Sequence, residues 1–359
     1  MVLAGGSLSN GDPVDKLMGS AIKFMAIGAN EKLNMNVDIK QVINDVKPDL
    51  IVVDHMITIP SIVTSGIPWI SSWSNGPLTL DWIINDYHGL PPGGSGLPTN
   101  YDKVVSENIR HKVIQGIHES WVKYNNYLVA NGCPELKPGQ IMHPSPYANI
   151  YMTPKELDYT DVRPLPDNFY GFDYYKRSGS EQTFEIPEQL RDKPGKLIYF
   201  SLGSMGSANV DLMKRLINIL AKSPNRFIVS KGMYHNTYSL PDNMWGERTV
   251  PQIQVLSICD LVLTHGGNNT VTESMFYGKP MIVLPLFFDQ HDNGQRLTET
   301  GLGVRLNPFT CTDREMLDSI DRLLTDQSLA VRLTNISHRI QTERRIEGIN
   351  NIIDNIVNK

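Results

Sequence analysis

Residues 249–290 read TVPQIQVLSICDLVLTHGGNNTVTESMFYGKPMIVLPLFFDQ, and this run decides the fold. An apolar strand, Leu261 to Thr264, leads into His265-Gly266-Gly267 and then into Asn268-Asn269-Thr270, the start of a helix. A second apolar run, Met281 to Leu286, ends near the pair Asp289-Gln290. Glycine lets the backbone come close to a bound group, and the exposed N–H groups at a positive helix end attract a phosphate or pyrophosphate. His265 adds a donor at a strand's carboxyl end, where open α/β sheets bind ligands.

The surrounding second half repeats the same alternation. Strands are expected at Leu197–Ser201, Phe227–Ser230 and Gly303–Leu306, with helices over Val210–Ala221 and near 313–325 and 328–342. The turn after the first of these strands is Leu202-Gly203-Ser204-Met205-Gly206-Ser207. Alternating strands and helices imply a parallel sheet with right-handed crossovers. A closing stripe of Ile349, Ile352, Ile353, Ile356 and Val357 predicts a helix that packs on a domain surface.

The first half has the same character but opens without a strand. Helices are expected over Val14–Ala29, Val37–Val46 and Tyr101–Ala130, and strands at Leu50–Val53, Pro68–Ser71 and Tyr147–Met152. Between them lies a long irregular stretch, 69–100, that carries Trp69, Trp73 and Trp82. These rings suit either a core or an apolar ligand pocket. Residues 160–195 are rich in Pro, Gly and charge and form the best linker candidate. The division is therefore 1–175, a linker 176–195, a second domain 196–342 and a terminal helix 343–359.

The 359 residues suffice for roughly two domains, and their net charge of −5 carries no nucleic-acid footprint. Three cysteines, Cys133, Cys259 and Cys311, are far apart and without metal-ligand spacing, which favours a reducing compartment. No apolar run approaches the roughly 20 residues that span a bilayer. His111 and His118 share a helix face, but two histidines without a third ligand make a poor metal site.

Taken together, residues 249–290 resemble the signature of the family 1 UDP-glycosyltransferases, whose pattern is W-x-P-Q, H-x-G-x-N-[ST]-x-x-E, G-x-P and D-Q. Here it reads Thr249-Val250-Pro251-Gln252, His265 through Glu273, Gly278-Lys279-Pro280 and Asp289-Gln290, and only the first fixed position departs. The resemblance implies a GT-B fold: two Rossmann-like parallel-sheet α/β domains facing across a cleft. It also implies a UDP-sugar co-substrate, no further cofactor and no metal; the lack of a long apolar run is the reason to expect no membrane span. By this resemblance His265, Gly267, Asn269 and Thr270 hold the phosphates. Glu273 accepts the ribose hydroxyls, Gln252 faces the uracil, and Ser204 touches the diphosphate. Asp289 and Gln290 bind sugar hydroxyls, a Gln there leaning towards glucose.

Asp54, just past a buried strand, resembles the family's Asp that orients a histidine base. A helix cap is the other use of a carboxylate there. The histidine itself is expected earlier, after a first strand, in a Gly-His-x-x-Pro context. No His precedes His55 in this sequence, and strand geometry turns His55 away from Asp54. The first domain therefore reads as lacking its opening strands, roughly 50–75 residues. A second departure is Thr249, where the family places a Trp that stacks on uracil; Trp245 lies four residues upstream. The expectation is an inverting transferase of soluble, cytoplasmic type that moves a hexose to a small lipophilic acceptor, as in detoxification. A UDP-sugar-binding pseudoenzyme is the alternative, and a UDP-sugar epimerase a third reading.

Overall fold

A computed structural model describes residues 8–29, 35–85, 88–173 and 184–358. The chain divides into two compact units. One holds Gly11–Phe172 with Arg345–Lys359, and the other holds Asp173–Arg344.

The first unit opens with α1 (Pro13–Gly28), capped by Asp12, whose Oδ1 accepts from the Val14 amide at 2.7 Å and the Asp15 amide at 3.3 Å. There follow α2 (Met35–Val46), β1 (Ile51–Asp54), the single turn α3 (Pro60–Val63), β2 (Trp69–Trp73), the turn α4 (Asp81–Ile84), α5 (Lys103–Ala130), β3 (Ala148–Met152) and β4 (Phe169–Phe172). The four strands pair in parallel in the order β1-β2-β3-β4. Each strand thus lies beside its predecessor, and the order does not reverse among the described strands.

The three tryptophans of residues 69–100 are core. Trp69, Trp73 and Trp82 are 5%, 2% and 5% exposed, as core side chains are. Trp73 donates to Thr79 Oγ1 at 2.9 Å, and Trp82 donates to the Gly93 carbonyl at 3.3 Å. A buried ion pair, Arg163 with Asp81, braces the segment, and Arg163 also donates to the Pro77 carbonyl at 3.0 Å. Trp69 still edges a small apolar recess with Val53, Ile57, Ile62 and Met142.

The second unit contains α6 (Glu188–Arg191), β5 (Leu197–Ser201), α7 (Gly203–Gly206), α8 (Val210–Leu220), β6 (Arg226–Ser230), β7 (Met244–Glu247), α9 (Gln252–Ile258), β8 (Leu261–Thr264), α10 (Asn268–Phe276), β9 (Met281–Val283), α11 (Asp289–Glu299), β10 (Gly303–Arg305), α12 (Asp313–Thr325) and α13 (Gln327–Glu343). Its sheet is parallel throughout, in the order β10-β9-β8-β5-β6-β7. Every residue of β5 and β8 is buried, as expected of strands covered on both faces. The order reverses between β5 and β8: β6 and β7 extend the sheet one way from β5, and β8 to β10 extend it the other way.

Two strands were not foreseen. β4 (FYGF) and β7 (MWGE) are four residues long, contain a glycine and lie at sheet edges. Such short edges carry little of the apolar run that marks a central strand. β4 therefore comes out of the stretch 160–195 read as linker. Residues 176–183 of that linker lie outside the described residues, and from Phe184 onward the chain packs on the second unit, with the Phe184 ring 5.9 Å from that of Trp245. The run Met281–Leu286 leaves its ladder early, after the Leu284 amide donates to the Thr264 carbonyl at 2.7 Å. The closing helix α14 (Gly348–Val357) returns to the first unit, where Ile349, Ile352, Ile353 and Ile356 pack on Ile70, Ala148, Ile150 and Phe172.

Candidate functional site

In an open parallel sheet the crevice outside the carboxyl ends of the strands, at the reversal of strand order, is where ligands bind. In the second unit that point lies between β5 and β8. The turn after β5 is Leu202-Gly203-Ser204, and the turn after β8 is His265-Gly266-Gly267. The His265 ring lies across both. A methyl group added at Gly203 would meet the His265 Cε1 at 2.7 Å, and one added at Gly267 would meet Nε2 at 2.6 Å. Both positions need glycine because the imidazole rests on their backbone. Ser204 stands exposed beside it in the same turn.

The ring donates to the Ser201 carbonyl, yet burial outweighs that bond and pushes the imidazole down to about 4 from the ordinary 6.5. His265 is therefore a neutral group near pH 7. A depressed histidine stabilises the fold fully above its unfolded value, and that contribution is lost as pH falls from about 6.5 towards 4, because only the unfolded chain takes up the proton there. Thermal melts should accordingly show a steeper loss of stability across this window for the native chain than for His265→Asn. Parallel pH profiles would exclude this account.

Gly267 is also the N-cap of α10, with φ −60° and ψ 140° and no side-chain cap. The helical ladder starts with the Val271 amide donating to the Gly267 carbonyl at 3.1 Å, so the amides of Asn269 and Thr270 are not consumed within the helix. A serine or aspartate cap would place its own oxygen there; glycine leaves the place to an anion.

One turn along α10, Glu273 is 0% exposed. Its Oε2 accepts from Gln252 Nε2 at 2.6 Å, and the same nitrogen lies 3.3 Å from Thr270 Oγ1. The Tyr199 hydroxyl donates to Gln252 Oε1 at 3.1 Å. Gln252, expected to face a base, thus serves first to lock the carboxylate of Glu273 in place. Both residues end up beside Thr270, at the end of the sheet that carries β5 and β8.

The pair Asp289-Gln290 begins α11, and the bend before it is tight. Phe288 has φ 53° and ψ −137°, a strained conformation for a bulky residue. Gln290 Oε1 accepts from the Leu286 amide at 2.9 Å and the Phe287 amide at 3.3 Å, so the side chain holds the bend that aims its own backbone. Asn293, which sequence reasoning passed over, donates to the Gly266 carbonyl at 2.9 Å and lies 3.4 Å from Asp289 Oδ2. It ties the start of α11 to the turn carrying His265. Its spacing of four from Asp289, one helical turn, was the available signal. Gly203 was likewise legible only as a turn residue, since its partner His265 is 62 positions away along the chain.

Asp54 belongs to the first unit. It is exposed at the carboxyl end of β1, where Ser74 donates to its Oδ2 at 2.6 Å. His55 beside it accepts from the Ile57 amide through Nδ1 at 3.2 Å, and burial lowers its affinity for protons. Its lone pair is thus already engaged, in keeping with the expectation that it makes a poor base. His143 is also committed: Nδ1 sits 3.0 Å from Thr58 Oγ1, and Nε2 sits 2.9 Å from the Pro134 carbonyl. His118 stacks on Trp121, with centroids 6.5 Å apart, and neither it nor His111 joins a metal-holding cluster among the described residues. Nor is any described helix long and apolar enough to cross a membrane.

Residues 182–351 match the family described as "UDP-glucoronosyl and UDP-glucosyl transferase". The chain is similar to NDP-glycosyltransferase YjiC of Bacillus subtilis (strain 168), at 28% identity over 64% of this chain and 58% of that protein. It is similar to UDP-glucuronosyltransferase 2B16 of Oryctolagus cuniculus, at 29% identity over 53% of this chain and 38% of that protein. It also resembles zeaxanthin glucosyltransferase of Pantoea ananas, at 25% identity over 87% of this chain and 71% of that protein. The chain thus spans 58% and 38% of the length of two of these curated relatives. In fold it resembles the kitacinnamycin glycotransferase (TM-score 0.73, 18% identity, 97% of this chain and 85% of the other). The spinosyn rhamnosyltransferase SpnG complexed with thymidine diphosphate is a further match (TM-score 0.60, 18% identity, 90% and 78%).

Proposed function

We propose that the chain is a family 1 UDP-glycosyltransferase, as the family match over residues 182–351 and the two parallel-sheet α/β units of the GT-B kind support, and that it transfers a hexose from a UDP-sugar to a hydroxyl group, with inversion at the anomeric carbon. The observation that carries this reading is the seat of His265 on Gly203 and Gly267, at the reversal of strand order and beside the uncapped start of α10. There a neutral imidazole, Ser204 and the helix amides converge on the place for a diphosphate. Glu273, held by Gln252, lies one turn further, where a ribose diol would follow. Asp289 and Gln290 serve the sugar. We favour glucose because of Gln290 and because one relative is named a glucosyltransferase.

In the reaction the acceptor oxygen attacks the anomeric carbon and its bond to the β-phosphate oxygen breaks. UDP leaves with the electron pair, and the acceptor proton passes to a base. The amides at the helix end stabilise the leaving charge, while His265, whose single N–H in the neutral form goes to the Ser201 carbonyl, shapes the seat beside them; this assignment calls for no metal. Asp54 is assigned to the proton side: an exposed carboxylate held by Ser74 through Oδ2, which takes the acceptor proton itself, because the nearby His55 and His143 have their nitrogens engaged. We favour a lipophilic acceptor because the Pantoea relative is named a zeaxanthin glucosyltransferase. Three free, buried cysteines favour a reducing, cytoplasmic location, which fractionation of the native host would check.

The test is turnover. Purified chain with UDP-glucose and a panel of phenols and lipophilic alcohols should release UDP and form β-glucosides from the α-linked donor. Products of retained configuration would overturn the inverting mechanism, and UDP binding without any glycoside would overturn transfer by this chain. Asp54→Asn should lower turnover by about 100-fold or more, the usual scale for a proton-transfer partner, while UDP affinity stays within about twofold as befits a residue that makes no contact with the nucleotide. Equal losses in both would remove Asp54 from the proton side.

A further inference from the structure

Thr249 leaves a nucleobase without the ring that the family supplies at this point of the chain, and Trp245 does not replace it, because its ring packs on Phe184. Resting on the donor site assigned above, we propose that Tyr234, in the loop after β6, provides the face on which the base stacks, flanked by Met233.

The placement follows from backbone hydrogen bonds. The Lys231 amide donates to the Glu247 carbonyl at 2.8 Å and the Gly232 amide donates to the Arg248 carbonyl at 2.9 Å. Met233 and Thr249 are therefore each one residue beyond a shared hydrogen bond. On its other side Gly232 lies against the turn after β5, where an added methyl group would meet Ser207 Oγ at 2.0 Å. The loop thus starts between the Gly203-Ser204 turn and the Thr249–Gln252 turn, on the flank of the site away from Asp289.

Its tip is apolar and uncovered: Met233 is 58% exposed and Tyr234 46% exposed. A flexible loop would lose that advantage to ordering entropy, but this one is braced. Lys231 Nζ donates to the Tyr238 carbonyl at 3.0 Å, and the Tyr238 hydroxyl donates back to the Lys231 carbonyl at 3.1 Å. The ammonium also sits 4.8 Å from the centre of the Tyr238 ring. Within the loop the Tyr234 carbonyl accepts from the Thr237 amide at 3.0 Å and from its hydroxyl at 2.8 Å. Two large side chains are held outward on a preformed loop, at the edge of a nucleotide crevice that lacks its usual ring. Gln252 is engaged with Glu273 and Tyr199 and brings no flat face.

Calorimetry on the full chain with UDP and with inorganic pyrophosphate tests the assignment. Tyr234→Ala should weaken UDP roughly 5- to 100-fold, the range for removing one base–aromatic stack, and leave pyrophosphate affinity unchanged. Tyr234→Phe should bind UDP as the native chain does. Thr249→Trp introduced into Tyr234→Ala should recover most of the loss. Native-like UDP binding by Tyr234→Ala would overturn the stacking role while leaving the donor site standing. Parallel loss of UDP and pyrophosphate would overturn it too, as a structural effect of the loop. No UDP binding by the native chain would overturn the donor site, and this inference with it.

Discussion

Gly267→Ala should lower UDP affinity by roughly 10- to 100-fold, because forcing one extra methyl into a filled place costs about 1–3 kcal/mol. The backbone tolerates alanine at Gly267: φ is −60° and ψ is 140°, an ordinary extended conformation. What alanine cannot do is share space with the His265 ring, whose Nε2 would lie 2.6 Å from the new carbon. The Cε1–Nε2 edge of the ring also lies against Gly203, so the ring has to leave its seat to admit the methyl group. The helix start would remain, but the ring that shapes the seat beside it would be misplaced. A double-mutant cycle isolates the cause. With His265→Ala in the background, adding Gly267→Ala should cost almost nothing further, because the two residues act through one contact. Additive losses in the double variant would show that Gly267 acts through α10 instead, and would sink the clamp. Binding is read by calorimetry with UDP, and circular dichroism confirms that the variants are folded.

Glu273→Ala should produce the largest loss of stability among the site variants. The carboxylate is 0% exposed and takes a 2.6 Å hydrogen bond from Gln252. Truncation leaves the half-buried Gln252 amide with only Thr270 Oγ1, at 3.3 Å, and removes a hydrogen bond to a buried carboxylate, at a cost of roughly 2–3 kcal/mol. In a unit of this size that corresponds to a fall in Tm of roughly 5–10 °C. Glu273→Gln restores the shape and can still turn its carbonyl oxygen to the Gln252 amide, but it loses the charge and one of the two acceptor oxygens. It should recover part of the stability and little of the UDP-sugar affinity. If Glu273→Ala melts with the native chain, the network does not support the fold. If Glu273→Gln binds UDP-sugar as tightly as the native chain, the carboxylate is not the group that meets the ribose.

These two expectations differ in how far the sequence alone reaches them. The ordered pattern from His265 to Gln290 was enough to expect a parallel α/β domain with an anion-binding turn, because the physics there is local. An apolar strand, a glycine turn and a helix start lie within about a dozen residues, and their spacing reports the chain's own geometry. Asp289 and Gln290 were legible for the same reason, as was the apolar stripe of α14. The edge strands β4 and β7 were not, since a four-residue edge with a glycine buries too little to leave a periodic pattern.

The working arrangement of the site depends on contacts between residues far apart in sequence. That Gly203 must be glycine follows from the His265 ring, and the ring's neutrality follows from the burial that this packing imposes. Gln252 turned out to hold Glu273, and Gln290 to hold the bend before α11, both through hydrogen bonds that no spacing announces. The three tryptophans became core residues only when the first sheet and the Arg163–Asp81 pair enclosed them. Sequence by itself determined the class of fold, the strand, glycine turn and helix start around His265, and the absence of a ring at Thr249. Tertiary structure decided which side chains are spent on holding others and which remain turned outward, because burial and hydrogen bonding are shared among elements and belong to no single stretch of chain.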